Sequence, residues 1–262
     1  MALEKSIDIN ADLGELPGDE GRQSDRAILS EVTSCAIACG GHAGDAAVME
    51  ATLLAAREHG VLPGAHPSYP DRENFGRVSQ SLPESALYDT LCAQMTQLNT
   101  IATRHDISLF HVKPHGALYN DAAKSAAIAN TVAKAVKSCF GTELALVGPP
   151  RSESEAAAER LDLMFHIEGF MDRTYMPDGS LMPRNKDGAV LQDIESRIHQ
   201  ACKIACDQSV THCNGADIPM PAKTICLHGD SPGAAATARQ IRKALMARGV
   251  SVQPIRLRDR TK

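Results

Sequence analysis

Short apolar or β-branched runs alternate with longer stretches of helical periodicity along most of this chain. The runs predict strands at residues 6–10, 35–39, 62–65, 109–113, 144–147, 164–168 and 224–227. Helices are predicted between them. Asp45 is placed to N-cap the run 46–59, with Gly60 as its stop. Pro83 and Glu84 open a helix carrying Leu87, Leu91, Met95 and Leu98 at spacings of three and four. Asp121 precedes an alanine-rich helical stretch that runs to Val136. Residues 193–206 and 234–248 read the same way, the latter stopped by Gly249. Strand-then-helix repetition predicts parallel strands with right-handed crossovers, an α/β fold. Residues 250–255 are either an eighth barrel strand or a piece outside a seven-stranded barrel. The longest loop-like stretches, 170–188 and 207–221, are of the length that usually forms lids or binding loops. With no linker or composition shift, residues 1–262 read as a single (β/α)-barrel domain.

The predicted strands end in polar, titratable clusters: DINADLGE (Asp8 to Glu15), IACGGHAGD (Ile37 to Asp45), GAHPSYPD (Gly64 to Asp71), HVKPHGALYN (His111 to Asn120), HIEGFMDR (His166 to Arg173) and ICLHGD (Ile225 to Asp230). Reactive groups at the carboxyl ends of many strands mark the active-site face of a βα-barrel.

Composition narrows the function classes. The formal net charge of −5 leaves no basic excess for neutralising phosphates, which excludes nucleic acid as a main partner. No apolar run approaches the ~18 residues of a membrane span, and the N-terminus has no apolar signal region. The eight cysteines lack CxxC spacing and read as reduced thiols of a cytoplasmic protein. The chain carries neither a G-x-x-x-x-G-K-[ST] phosphate loop nor a G-x-S-x-G nucleophile elbow.

Each cluster has a chemical reading and a structural one. Asp12 and Glu15 can hold a divalent cation, share a proton or position a water; otherwise they are a turn and a solvated acid. His42 sits among glycines that let backbone approach a ligand, whereas Asp45 doubles as a helix cap. Asp12, His42 and His66 together form a candidate metal set of the His/His/Asp type. Pro114 fixes the relative direction of Lys113 and His115, and Tyr119 and Asn120 add donors. Lys113 can hold an anionic intermediate, act as a base if its pKa is depressed, or simply close a strand-end ion pair. Glu168, Asp172, Arg173 and Arg184 suit a carboxylate-bearing or phosphorylated small molecule; the alternative is a surface ion-pair network. His228 and Asp230 close the circle at a turn that favours anions.

Taken together, DINADLGE, IACGGHAGD, GAHPSYPD with FGR (Phe75 to Arg77), HVKPHGALYN, EGFMDRTY, DGSLMPR and ICLHGD resemble the LamB/YcsF family over nearly the whole chain, in the family's order and approximate spacing. The sequence departs from the pattern at Ala11, where many members carry Cys, and at Gly41, where many carry Phe. The resemblance implies an irregular, seven-stranded (β/α) barrel of the glycoside hydrolase/deacetylase type. It also implies ATP-dependent opening of 5-oxo-L-proline to L-glutamate, with ATP as co-substrate and two further subunits, B and C, as partners. The cast expected on this basis is Asp12, His42, His66, Lys113, His115 and His228 for catalysis. Glu15, Asp45, Tyr119, Asn120, Glu168, Asp172, Arg173, Arg184 and Asp230 are expected to bind substrate. His42 or His66, oriented by Asp12, would activate water. Lys113 and His115 would stabilise the activated oxygen or protonate the leaving nitrogen, and Arg173 or Arg184 would hold the substrate carboxylate. A divalent metal and a homo-oligomer are left open. The rival readings are a stand-alone metal-dependent deacetylase or amidohydrolase, and a non-catalytic subunit that binds a small acid.

Overall fold

A computed structural model of the chain describes residues 5–228 and 233–255. Seven parallel strands close a barrel in the order β1 (Ser6–Leu13), β2 (Ser34–Ala38), β3 (Leu62–His66), β4 (His111–Val112), β5 (Ala145–Gly148), β6 (Phe165–Phe170) and β9 (Thr224–His228). Closure comes from β9 returning to β1, with Asp8 opposite Thr224 and Asp12 opposite His228. Strand β10 (Ser251–Val252) pairs with Ser6 and Ile7, below the point where β2 joins β1 at Asn10. The 250–255 piece is therefore an appendage to the seven-stranded ring. Its partner β1 is long enough to project beyond the barrel floor.

The helices follow local rules. Asp45 Oδ1 accepts from the Val48 amide (2.9 Å) and starts α2 (Ala46–His59), which Gly60 ends in the left-handed conformation at φ 67°. Helices α3 (Glu84–Arg104), α7 (Ile194–Asp207) and α8 (Ala234–Ala247) lie where periodicity placed them. Asp121 does not open a helix. It sits within α4 (Gly116–Lys124), and Ser125 caps the separate α5 (Ala126–Phe140). Two short helices escape the pattern: α1 (Gly18–Leu29), whose buried face includes Gly21 and Asp25 among apolar residues, and α6 (Glu153–Arg160), whose apolar face is alanine. The 207–221 stretch holds an antiparallel hairpin of β7 (Ser209–Thr211) and β8 (Asp217–Pro219). No helix among the described residues is long and apolar enough to cross a membrane, and all eight cysteines are free.

Alternation along the strands sorts the core. Ile7, Ile9, Ala11 and Leu13 of β1 pack in the apolar core, while Asp8, Asn10 and Asp12 bond other strands across the barrel interior. The same alternation sends Thr224, Cys226 and His228 of β9 inward. The barrel is thus lined by a polar column, not by the branched apolar layers usual in this architecture. Small residues make room for it: at Gly64 a Cβ atom would collide with the His111 ring.

Candidate active site at the barrel mouth

The carboxyl ends of the strands open into a cavity of about 470 Å³, within the ~300–1,000 Å³ usual for small-molecule sites. Asp12, Glu15, His66, Lys113, His115 and Tyr119 line one part of it. Glu168, Phe170, Arg173, Arg184 and His228 line the rest.

Lys113 is the hub. It leaves β4 just before Pro114, and its side chain is almost fully buried. Nζ donates to Asn10 Oδ1 (2.8 Å) and Glu168 Oε1 (3.1 Å), pairs with Asp12 Oδ1 and touches Cys226 Sγ (3.3 Å). Asn10 Nδ2 in turn donates to Glu168 Oε1 (3.0 Å). Burial alone would depress the ammonium, but the charges of Asp12, Cys226 and Glu168 outweigh it and raise the pKa well above the usual value. Asp12 shifts the opposite way: burial opposes ionisation, yet His66 and Lys113 hold the carboxyl well below the ordinary range. Lys113 is therefore a fixed cation and not a base.

Three imidazoles and Glu15 converge beside this hub. His66 Nδ1 lies 2.6 Å from the Lys113 carbonyl oxygen and His115 Nε2 lies 2.9 Å from the Phe75 carbonyl oxygen. A carbonyl only accepts, so both ring nitrogens carry hydrogen. The other two nitrogens, His66 Nε2 and His115 Nδ1, face each other at 3.0 Å. Glu15 Oε1 stands 3.3 Å from His115 Nδ1, 4.0 Å from His66 Nε2 and 3.0 Å from His42 Nε2. The rings of His42 and His115 stack, with centroids 3.6 Å apart and planes at 2°, and the His66 ring is perpendicular to both. Burial drives the His42 imidazole down to about 2 and pushes His115 the same way, with the charge of His66 adding to each.

A strained turn holds the Phe75 carbonyl in place. Phe75 adopts φ 55°, a sparsely populated region for a bulky residue. Asp71 stabilises the turn by accepting from the Asn74 amide (3.1 Å) and side chain (2.9 Å). Gly76 follows at φ 62°, where a Cβ would come within 2.9 Å of His42 and 3.0 Å of His115. The FGR segment thus clasps the stacked imidazoles.

A dyad adjoins the hub, since ligand atoms of Asp12, Cys226 and His228 lie within 4.8 Å of one another. His228 Nδ1 donates to Asp172 Oδ2 at 2.7 Å, which leaves Nε2 as the acceptor. Phe170 stacks on the ring at 5.6 Å. Asp172 is buried, and although burial works against its ionisation, the His228 charge and hydrogen bond hold its pKa below the ordinary value. Nearby, the buried Arg173 donates to the carbonyls of Ala189 (3.2 Å) and Met182 (2.6 Å), which fixes its guanidinium. Burial, reinforced by Arg184, lowers its pKa to about 10. A desolvated guanidinium beside a second cation favours an anionic guest.

The structure gathers most of the sequence-predicted residues at one mouth and corrects some roles. Asp45 is an exposed helix cap and does not line the cavity. Asp172 orients His228 and does not line the cavity itself. His42 stands behind Glu15 and His115. Of the expected His/His/Asp set, His42 and His66 gather with Glu15 and His115, while Asp12 pairs with Lys113 through Oδ1 and stands 3.4 Å from His66 Nε2 through Oδ2. Asn120 lies at the exposed rim and spends Nδ2 on the Gly116 carbonyl (3.0 Å). Asp230 lies outside the described residues. Sequence reasoning missed Asn10 and Cys226 as contacts of Lys113; the inward parity of Asn10 with Asp8 and Asp12 was the available signal. Cys39, beside the second cluster, is no nucleophile, since burial raises its thiol to about 12.

Comparison with known proteins agrees with this architecture. The A subunit of 5-oxoprolinase from Methylococcus capsulatus is 44% identical over 95% of this chain and 96% of its own length. The crystal structure of a lactam utilization protein from Thermus thermophilus superposes with a TM-score of 0.88 at 34% identity, covering 95% of this chain and all of that one. At the level of fold alone, the catalytic domain of a peptidoglycan N-acetylglucosamine deacetylase from Eubacterium rectale matches with a TM-score of 0.50 at 10% identity over 98% of this chain and 91% of that one. The LamB/YcsF family profile matches residues 7–259. Matched over nearly its whole length, the chain belongs to the LamB/YcsF family.

Proposed function

We propose that the chain is the ring-opening component of an ATP-dependent 5-oxoprolinase, converting 5-oxo-L-proline to L-glutamate together with partner subunits. The name of the Methylococcus relative supports the substrate and the existence of partners. The observation that carries the reading is the gathering, at one cavity, of a permanently charged Lys113, an oriented imidazole and a buried Arg173.

The lactam is a stable amide with a carboxylate on its ring. Arg173, with Arg184 at the rim, grips that carboxylate as a charge-assisted pair. Lys113 faces the lactam oxygen, where its fixed charge stabilises the negative charge that develops on attack. ATP coupling makes the step favourable. Transfer of the terminal phosphoryl group to the lactam oxygen releases ADP and leaves a ring carbon open to water. His228 Nε2 takes a proton from that water as it adds to the carbon, and Asp172 stabilises the imidazolium that results.

The adduct then has two ways to collapse. Loss of phosphate regenerates the lactam and wastes the ATP. Cleavage of the ring C–N bond gives γ-glutamyl phosphate, which a second water converts to glutamate and phosphate. Delivery of the proton from His228 to the ring nitrogen favours the productive path, because an amine leaves and an amide anion does not.

The test is to co-purify the chain with its candidate partner subunits and follow glutamate release from 5-oxoproline with and without ATP. Release that needs both ATP and partners is expected. Glutamate release by this chain alone without ATP overturns the scheme in favour of a stand-alone amidohydrolase.

A further inference from the structure

We infer that Glu15, His66 and His115 form a binding site for one divalent transition-metal ion of the zinc type, opening onto the cavity. The inference goes beyond the lactam reading and does not depend on it.

The first argument is hydrogen inventory. Backbone carbonyls claim the N–H of His66 at Nδ1 and of His115 at Nε2. In the neutral rings the two remaining nitrogens are lone pairs, and they point at each other across 3.0 Å with Glu15 Oε1 at 3.3 Å from one of them. Three such atoms at these separations hold together only with something positive among them, a proton on His66 Nε2 or a metal ion. A metal ion meets that need with all three atoms at once.

Ligand spacing is the second argument. Metal–nitrogen and metal–oxygen bonds of ~2.0–2.2 Å place neighbouring ligand atoms about 2.9–3.4 Å apart. Two of the three separations, 3.0 and 3.3 Å, fall within that range and the third, 4.0 Å, lies above it, so a shift of Glu15 by less than an ångström completes the set. The His66 and His115 planes are perpendicular, at 89°, so one ion can lie in both. His42 is excluded as a fourth in-plane ligand because its ring is parallel to that of His115, at 2° and 3.6 Å between centroids. Its Nε2 lies 3.0 Å from Glu15 Oε1, the position of a support that orients a ligand carboxylate.

The third argument is the surrounding shell. Metal-bound imidazoles characteristically donate their second N–H to a carbonyl or carboxylate, and both candidate ligands already do so. Two imidazoles, one carboxylate and an open side facing a cavity are the donor set of catalytic zinc and non-haem iron sites. When bound, such an ion supplies Lewis acidity next to Lys113.

The test uses metal alone, without substrate, ATP or partners, so it is independent of glutamate release. The full chain, freed of metal with a chelator, is titrated with Zn²⁺ and with Co²⁺, and binding is read by calorimetry and by the visible bands of Co²⁺. One equivalent is expected to bind. Glu15→Gln and His66→Gln are expected to abolish the Co²⁺ bands, and His42→Ala to weaken binding by about 10–100-fold. Asp172→Asn, which lies outside the set, is expected to bind normally. Absence of stoichiometric binding, or binding unchanged in Glu15→Gln and His66→Gln, overturns the inference. A circular-dichroism spectrum matching the parent shows that each variant is folded.

Discussion

The two ends of the barrel are built from similar residue types and behave in opposite ways. At the floor, the buried Asp8 carboxylate accepts hydrogen bonds from Thr33 (2.6 Å), Ser34 (2.7 Å) and Thr224, around a void of only about 20 Å³. Burial pushes Asp8 upward while these hydroxyls resist the shift. His111 is driven down to about 3 by burial. At the mouth, a cavity of about 470 Å³ is lined by residues with buried polar atoms that lack hydrogen bonds, Tyr119 Oη and Glu168 Oε2, with Asp172 Oδ1 and His42 Nδ1 in the same condition behind the lining. At the floor only His166 Nε2 shares that condition among the described residues. Buried polar groups are normally satisfied, so an unsatisfied cluster beside open space marks where a ligand completes the network. Polarity inside a barrel is therefore no sign of function by itself. The distinction lies in whether the protein has already used up its donors and acceptors.

The comparison breaks most easily at Lys113. Lys113→Met leaves Asp12 and Glu168 as uncompensated buried charges, at a cost of about 3–5 kcal/mol in urea unfolding, and abolishes glutamate release by the assembled complex. Next in size is the dyad. Asp172→Asn is expected to lower kcat by roughly 10²–10⁴-fold while the thermal midpoint moves little, because the His228 tautomer and imidazolium lose their support.

Asp25 sharpens the contrast through pH. Its Oδ2 accepts from the Gly14 amide (2.9 Å), just before Glu15. Burial raises its pKa from 3.8 to about 6 in the folded state. The folded state holds the extra proton, so stability is fully present below about pH 4 and is lost as pH rises through about 6. Relative to Asp25→Asn, the parent should lose on the order of 2–3 kcal/mol between pH 4 and pH 7, measured by denaturant midpoints at the two values. The smallest effect belongs to Asp45→Ala, which should cost about 1 kcal/mol through loss of a helix cap and leave KM for 5-oxoproline unchanged.

Much of this was legible in the sequence, for identifiable reasons. The strand–helix rhythm gives the parallel barrel, and Asp45, Gly60 and Asp193 mark helix ends through side-chain chemistry local to them. Clusters at strand ends give the mouth. What could not be read depends on contacts distant in sequence. Asp12 and Glu15 are close in the chain, yet one joins Lys113 from β4 and the other joins His115 beyond Pro114. The carbonyls of Phe75 and Lys113 fix two imidazole tautomers, and no residue-type pattern reports on carbonyls. The alternating polar positions of β1 ended its apolar run at Asn10, although its backbone pairing continues to Leu13.

The central claim is that chemistry resides at the mouth and that the polar floor is structural. The most direct measurement is kcat for ATP-dependent glutamate release in complexes assembled with His228→Gln and with Asp8→Asn, each normalised to folded protein. The account predicts that His228→Gln loses at least about 100-fold and that Asp8→Asn turns over like the parent. Equal turnover in the two complexes, or a larger loss in Asp8→Asn, would contradict it.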